Sequence, residues 1–368
     1  MSLLREEKIM SQKVFRVLVL NPGSTSTKAA VYDDTKEIAN ITLRYQPEKL
    51  IEFKGILAQK QFRTDDVIKM LRENDISLES LDAVVGRGGL VKPIASGTYL
   101  INERMIEDLS SDSALVHASA LGGLIAVVIA GKCNIPAYIV DPIVVDELEP
   151  YARLSGIPEI ERRSVFHALN SKAVARHCAQ ELGISYEDGR FIVTHMGGGI
   201  TVGAHRHGRV IDVNDAVSGD GAFTPERSGS VPLVPLVEMC FSGKYTQAQI
   251  EGEIIGKGGV RAYLDTTDMI AVEEMINNGD KHAALVFDAM AYQVAKQIGA
   301  MFAALEGKCN AIILTGGLAY SKLFTGLIKR RVGQFAPIHI IPGEEEMLAL
   351  AEGGLRVLKG ESKAATYE

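Results

Sequence analysis

Two short turns in this chain carry side chains suited to holding anions. The first is Asn21-Pro22-Gly23-Ser24-Thr25-Ser26-Thr27-Lys28, set between two apolar runs. Its hydroxyls and its amide, flanked by a glycine, can donate to phosphate oxygens, and Lys28 brings a cation into the following strand. It is no P-loop, because the spacing G-x-x-x-x-G-K-[ST] and the helix that must follow it are missing. The second turn is His195-Met196-Gly197-Gly198-Gly199. Three successive glycines let backbone approach an anion closely, and consecutive N–H groups make an anion-binding concavity. His195, where a strand meets the turn, either donates to a phosphate or is simply hydrogen-bonded within the fold. Each turn alone also reads as an ordinary glycine turn; their occurrence as a matched pair favours phosphate.

A third feature, LTGGLAYS at 314–321, ends a buried strand in Gly316-Gly317 ahead of a helix. Ligands of open α/β sheets lie at the carboxyl ends of strands, where a glycine pair lets a flat ring such as adenosine's rest on backbone. A helix-packing turn is the other reading. Arg87 follows an apolar strand beside Gly88-Gly89, Asp141 ends the strand AYIVD before Pro142, and Arg227 lies in the loop SGDGAFTPERSGS. The strand-end positions of Arg87 and Asp141 favour an active site over solvated surface. Glu344, Glu345 and Glu346 follow the run IHIIPG, where carboxylates suit a helix N-terminus. One of them can also hold Mg²⁺ through water, since this ion keeps several waters and takes few protein carboxylates. The triplet His205-Arg206-His207 lacks a third metal partner and reads as the surface of a hairpin tip.

Alternating elements must position these residues. Strands are expected over 14–20, 28–33, 39–45, 83–87, 137–141, 191–196, 200–206, 209–214, 311–317 and 338–343. Helices are expected over 64–74, around 114–131, and over 163–182, 234–243, 281–307 and 345–358. The alternation, with buried Val/Ile runs, implies an α/β class with largely parallel sheets. The segments 17–34 and 191–215 share one plan, an apolar strand, a Gly-rich turn and a second strand, which suggests two related domains each opening in a β-meander.

The length of 368 residues suits about two domains. Hydrophobic residues at 46% and charged residues at 23% exclude a disordered or fibrous chain. Lys+Arg 39 against Asp+Glu 46 gives a net charge of −7 with no basic cluster, which excludes a nucleic-acid binder. Cys133, Cys178, Cys240 and Cys309 show no C-x-x-C spacing and read as buried thiols in a reducing cytoplasm. The first dozen residues read as a frayed polar extension rather than a signal peptide. The apolar stretch at 118–131 is too short to span a bilayer.

With these motifs assembled, the chain resembles the acetate kinase family of carboxylate kinases. NPGSTSTK, the FH of RRSVFHALNS, THMGGG, TPERSG, ILTGG and the P-x-E-E-E segment carry the likeness, in family order from about residue 15 to about residue 358. Within the family, the form NPGSTSTK and the length look most like the butyrate kinase branch. The resemblance implies two duplicated actin-like (ribonuclease H-like) ATPase domains with a central nucleotide cleft. The N-terminal domain is expected over 1–145 plus 346–368, with the first phosphate hairpin and the acyl substrate. The C-terminal domain is expected over 146–345, with the second hairpin and the adenosine.

By the same resemblance, the family's phosphate-contacting residues fall on Asn21, Ser24, Ser26 and Lys28, and its substrate- and phosphate-binding arginines on Arg87 and Arg227. Its catalytic Asp falls on Asp141, its transition-state His on His167 and its metal-linked Glu on Glu345, with Asn21 also on the metal side. The second phosphate turn maps to His195 and Gly197, Gly198 and Gly199, and the adenosine turn to Gly316 and Gly317. One departure stands out: acetate kinases carry FHGTSH where this chain has FHALNS, so Ser171 replaces the second His. The implied reaction is reversible transfer of the γ-phosphate of ATP, with Mg²⁺, to butyrate or a branched short-chain fatty acid, giving an acyl phosphate and ADP. Acetate or propionate kinase is the near alternative, and a non-enzymatic actin-like nucleotide switch the distant one. The expected partners are the short-chain acid, ATP and further copies of the chain, in the cytoplasm, without nucleic acid or membrane.

Overall fold

Val17, Leu18, Val19 and Leu20 are all buried, as are Ala83, Val84 and Val85 and again Phe191, Ile192 and Val193. Such runs belong to strands covered on both faces. In the computed structural model, which describes residues 13–111 and 118–368, they are inner strands of two sheets. The chain divides into two units, one drawn from residues 1–90, 97–140 and 350–368, the other from residues 91–96 and 141–349.

The first unit holds β1 (Arg16–Pro22), β2 (Ser26–Asp33), β3 (Lys36–Arg44), β4 (Ala83–Arg87), β5 (Thr98–Leu100) and β6 (Ala137–Val140), in the order β3-β2-β1-β4-β6-β5. The second holds β7 (Arg190–Met196), β8 (Ile200–Arg206), β9 (Arg209–Val213), β10 (Ala311–Gly316) and β11 (Ile338–Pro342), in the order β11-β10-β7-β8-β9. Each sheet begins with an antiparallel three-stranded meander and continues from the meander's first strand into two parallel strands. The short β5 adds an antiparallel edge to the first sheet. The duplicated α/β plan is therefore present strand for strand. The sheets are mixed, however, and not largely parallel as expected. The meander strands are joined by turns of two or three residues, and only antiparallel neighbours can be joined so briefly.

Helices cover the sheets through apolar stripes. Val67, Met70 and Leu71 of Lys60–Glu73 and Leu121, Ile125 and Ile129 of Ala120–Cys133 meet Leu18, Leu20 and Val31. In the second unit, Phe287, Val294 and Ile298 of Lys281–Ala304 meet Ile192, Val202 and Leu314, while Val174 and Cys178 of Ala168–Glu181 pack against Phe191 and Ile313.

Several expectations change. The helix expected over 163–182 begins only at Ala168. Before it, Arg162 donates to Asp212 Oδ1 (2.8 Å) and the Ala152 carbonyl (2.7 Å), and Ser164 Oγ to the Val145 carbonyl (2.6 Å), which holds that stretch out of the helix. The helix expected around 114–131 is Ala120–Cys133; residues 112–117 and the first dozen lie outside the described residues. The four cysteines are free, but only Cys178 is buried, and Cys240 is exposed on the helix Leu233–Phe241. His205 is buried rather than at the surface. It lies beside a register shift in the β8–β9 pairing, and a bulge of this kind re-aims a side chain. His207 alone occupies the tip, at a φ of 51°. Among the described residues no helix is long and apolar enough to cross a membrane.

Candidate active site

In the first unit the turn between β1 and β2 is gripped from behind. Arg63, fully buried on the helix Lys60–Glu73, donates from Nη1 to the carbonyls of Gly23 (2.8 Å) and Ser26 (2.9 Å) and from Nη2 to that of Ser24 (2.8 Å). Gln59 Oε1 accepts from the same guanidinium at 2.7 Å, and the Tyr45 ring lies under it. Burial pushes the Arg63 pKa down. With the turn's carbonyls claimed on one side, Ser24 and Lys28 stand exposed and Ser26 half-buried. Asn21, nearly buried at the end of β1, sits opposite Lys28 in the strand register and accepts from Arg87 Nη1 at 3.3 Å. Arg87 ends β4, the neighbour of β1. Asn21, Ser24, Ser26, Lys28 and Arg87 thus belong to one corner of the first sheet. Arg63 lies just before the helix expected over 64–74 and belongs to none of the motifs singled out in the sequence.

In the second unit the glycine turn joins β7 to β8, closed by Gly197 N donating to the Gly199 carbonyl at 2.9 Å. His195 faces Thr201 across the strand pair. The His167 ring stacks on that of His195, with centroids 3.8 Å apart and planes at 12°, and its Nδ1 lies 3.1 Å from Thr201 Oγ1. His167 occupies the N-cap position of Ala168–Glu181, so the helix start delivers it onto the hairpin. His195 is 1% exposed, and its Nδ1 is paired with Asn170 Oδ1 at 2.8 Å. Its Nε2 is also buried, with Glu344 Oε1 3.0 Å away.

Arg227 packs its guanidinium against Gly199 so closely that a Cβ there would collide with it. Nη1 donates to the Ala216 carbonyl, and Nε is buried without a hydrogen-bond partner. Thr224 ties this loop to the turn through Oγ1, which donates to the Gly198 carbonyl at 2.6 Å and accepts from Arg227 N at 3.1 Å. His167, His195, Gly197 to Gly199 and Arg227 are therefore one cluster. Gly316, at a φ of 86°, lies against the Met196 backbone where any side chain would clash, while a side chain at Gly317 would meet open space. Gly316 exchanges backbone hydrogen bonds with Gly343 (3.1 and 3.0 Å), which brings Glu344 to His195. Glu345 is exposed and lines a small hollow with Asn170, His177 and Pro342.

Asp141 belongs to a different set. It follows β6 at a φ of 37°, 2% exposed, with Ser96 Oγ donating to Oδ1 at 2.6 Å and Arg176 Nη1 3.5 Å from Oδ2. Fully buried Lys172 pairs with Glu147 at 2.8 Å, and burial pushes its pKa down against the pull of that carboxylate. Nearby, Tyr186 OH and His205 Nδ1 are 2.8 Å apart. None of these partners was marked by a sequence motif. A wide groove lined by Ile160, Arg162, Arg163 and Asp215 contains none of the predicted residues.

Among the described residues no three His, Cys, Asp or Glu side chains form a metal cage. The Glu345 carboxylate in the second unit and the Asn21 amide oxygen in the first are each hard oxygen donors, the ligand type that Mg²⁺ takes alongside waters and substrate phosphates.

Residues 154–324 match the acetokinase family. Butyrate kinase 2 of Clostridium acetobutylicum is 53% identical over 354 residues, covering 96% of this chain and 99% of that protein. Among solved structures, acetate kinase of Porphyromonas gingivalis aligns with a TM-score of 0.78 at 20% identity, over 94% of this chain and 100% of the other. A propionate kinase of Francisella tularensis aligns with a TM-score of 0.72 at 19% identity, over 92% and 98%. At such identities the structures speak for the fold alone, which is the actin-like ATPase fold. Likeness of more than half the residues over nearly the full length of both chains settles the kinship: this chain belongs to the acetokinase family.

Proposed function

We propose that the chain is a butyrate kinase, transferring the γ-phosphate of ATP to the carboxylate of butyrate or a branched short-chain fatty acid and releasing ADP. The 53% identity to a butyrate kinase across 96% of the chain carries this reading. A carboxylic acid with a pKa of about 4–5 is ionised at neutral pH, so the acceptor needs no general base. One carboxylate oxygen bonds to the γ-phosphorus as the bond to the β–γ bridging oxygen breaks. The electron pair leaves with ADP, and no proton has to move.

The obstacle is repulsion between two anions, and the residues in hand address it. Arg87 and Arg227 neutralise and align acceptor and phosphate, and the unpartnered Nε of Arg227 is a donor held in place before substrate arrives. His167 donates to the equatorial oxygens of the in-line transition state, and His195 reaches phosphate through Nε2, the ring nitrogen that faces Glu344 Oε1 at 3.0 Å. Asn21, Ser24, Ser26 and Lys28 take phosphate oxygens in the first unit, and Gly197, Gly198 and Gly199 do so in the second. Gly317, with open space above it, gives the adenosine ring its surface, and Gly316 gives the turn its shape. Mg²⁺, when bound with the nucleotide, supplies charge neutralisation of the phosphates; Glu345 and Asn21 are the residues that would hold it. Asp141 acts as a positioner, not a base.

The helix Leu233–Phe241 leaves Leu233, Val234, Val237 and Phe241 at 70%, 70%, 54% and 87% exposure. An apolar surface of that kind supports a homodimer or larger homo-oligomer. The free thiols support a reducing cytoplasm. Trapping acyl phosphate as the hydroxamate, with ATP and a panel of C2 to C5 acids, tests the function. Butyrate and branched acids should give the highest kcat/KM. A preference for acetate or propionate would make this an acetate-type enzyme, and no acyl phosphate from any acid would leave a nucleotide switch.

A further inference from the structure

We propose that Ser96 is a positioning residue for Asp141, delivered by a segment of chain that the second unit takes from within the first unit's sequence. The inference rests on the role given to Asp141 above. Asp141 adopts a left-handed φ of 37° while 2% exposed, a region that aspartate takes more readily than most side chains, so the aim of its carboxylate is set by the groups that hold it. Each carboxylate oxygen has its own neighbour: Ser96 Oγ donates to Oδ1 at 2.6 Å, and the Arg176 guanidinium faces Oδ2 at 3.5 Å. With one oxygen hydrogen-bonded and the other facing a cation, rotation of the carboxylate carries a penalty.

Ser96 is itself held. Residues 91–96 group with the second unit although the chain on both sides of them belongs to the first. Ile94 bridges Val145, and Asp146 N donates to the Ile94 carbonyl at 2.8 Å. Ser96 N donates to Glu147 Oε1 at 3.2 Å. Glu147 Oε2 in turn pairs with Lys172 Nζ at 2.8 Å and accepts from Val210 N at 2.9 Å. Lys172, with no exposed surface, also donates to the Gly208 carbonyl at 2.9 Å. The serine backbone is therefore pinned through a buried ion pair, and its hydroxyl is spent on a carboxylate rather than on a turn or a helix cap. Such an arrangement sets the aim of Asp141 before substrate binds, so no reorganisation is needed during phosphate transfer.

The test compares Ser96→Ala, Ser96→Thr and Asp141→Ala in the full-length enzyme, measuring kcat, KM for ATP and for butyrate, and thermal midpoint. Ser96→Ala should lower kcat about tenfold, with both KM values within about twofold of the parent and the midpoint within a few degrees. Ser96→Thr, which keeps the hydroxyl, should recover kcat to within about threefold of the parent. Parental kcat in Ser96→Ala alongside a collapse in Asp141→Ala would overturn the proposal while leaving the role of Asp141 intact. Equal loss in the Ala and Thr variants, or a loss carried by KM, would overturn it as well. Parental kcat in Asp141→Ala would remove the role of Asp141 and the proposal with it.

Discussion

The two meanders share a topology and equip their turns by opposite means. Between β1 and β2 the turn offers hydroxyls and a lysine, and a buried guanidinium, Arg63, clamps its carbonyls from the core side. Between β7 and β8 the turn is three glycines, and the cation, Arg227, lies against it with Nε buried and unpaired. One arginine is consumed by the fold. The other keeps a donor in reserve. If both turns hold phosphate as proposed, one hairpin plan serves that end either through side-chain donors on a braced backbone or through bare backbone with separately mounted imidazoles and a guanidinium.

Removing the arginine with a donor in reserve should cost most. Arg227→Ala should lower kcat at least 100-fold, about 3 kcal/mol of transition-state stabilisation, in a coupled kinase assay; unchanged kcat would place Arg227 with Arg63 as a structural residue. Arg63→Met leaves three turn carbonyls and Gln59 without their donor, and should cost about 2 kcal/mol of unfolding free energy, read as a lower urea midpoint, while raising KM for ATP. A loss of kcat at constant stability and KM would erase the distinction between the two arginines.

Acid should separate the meanders less sharply. β1 to β3 contain no histidine, whereas β8 buries His205, whose pKa burial pushes well below the ordinary value, helped by Lys172 and Arg176. The unfolded chain protonates this imidazole below about pH 6.5 and the folded chain does not. Stability should therefore hold above that pH and fall as acid is added, by up to about 1.4 kcal/mol per pH unit. His205→Gln should flatten the dependence of the urea midpoint between pH 7 and pH 5, and an unaltered slope would show that other groups cause it. Ser24→Ala, at an exposed turn hydroxyl, should have the smallest effect: about a threefold rise in KM for ATP with no shift in thermal midpoint.

What the sequence displayed and what it hid divide along a physical line. The run VFRVLVL announces β1 because a doubly covered strand must be apolar throughout, and the paired Gly-rich turns announce the duplication. β5 is three residues long, too short to carry a period. Arg63 carried no motif because its partners at Gly23, Ser24 and Ser26 lie 37 to 40 residues away. His205 looked like hairpin tip because the register shift beside it does not show in residue types. Around the candidate site, the glycines and the ring and guanidinium side chains were visible as types. Asn170 on His195 and Ser96 on Asp141 were not, and Glu344, visible as one of three carboxylates, gave no sign of its place near His195 Nε2, since each is a tertiary pairing.

The assignment of residues 91–96 to the second unit has a consequence for anyone who would cut this protein apart. The main chain passes between the units at 90/91, 96/97, 140/141 and 349/350. A gene fragment beginning at Asp141 would encode the whole second sheet and still omit the serine that Asp141 binds. Supplying that hexapeptide in trans, or grafting it ahead of Asp141 by circular permutation, becomes part of any attempt to express the second half alone. For the same reason, a recombination event that exchanges one half between relatives must carry the hexapeptide along or leave Asp141 without its hydroxyl.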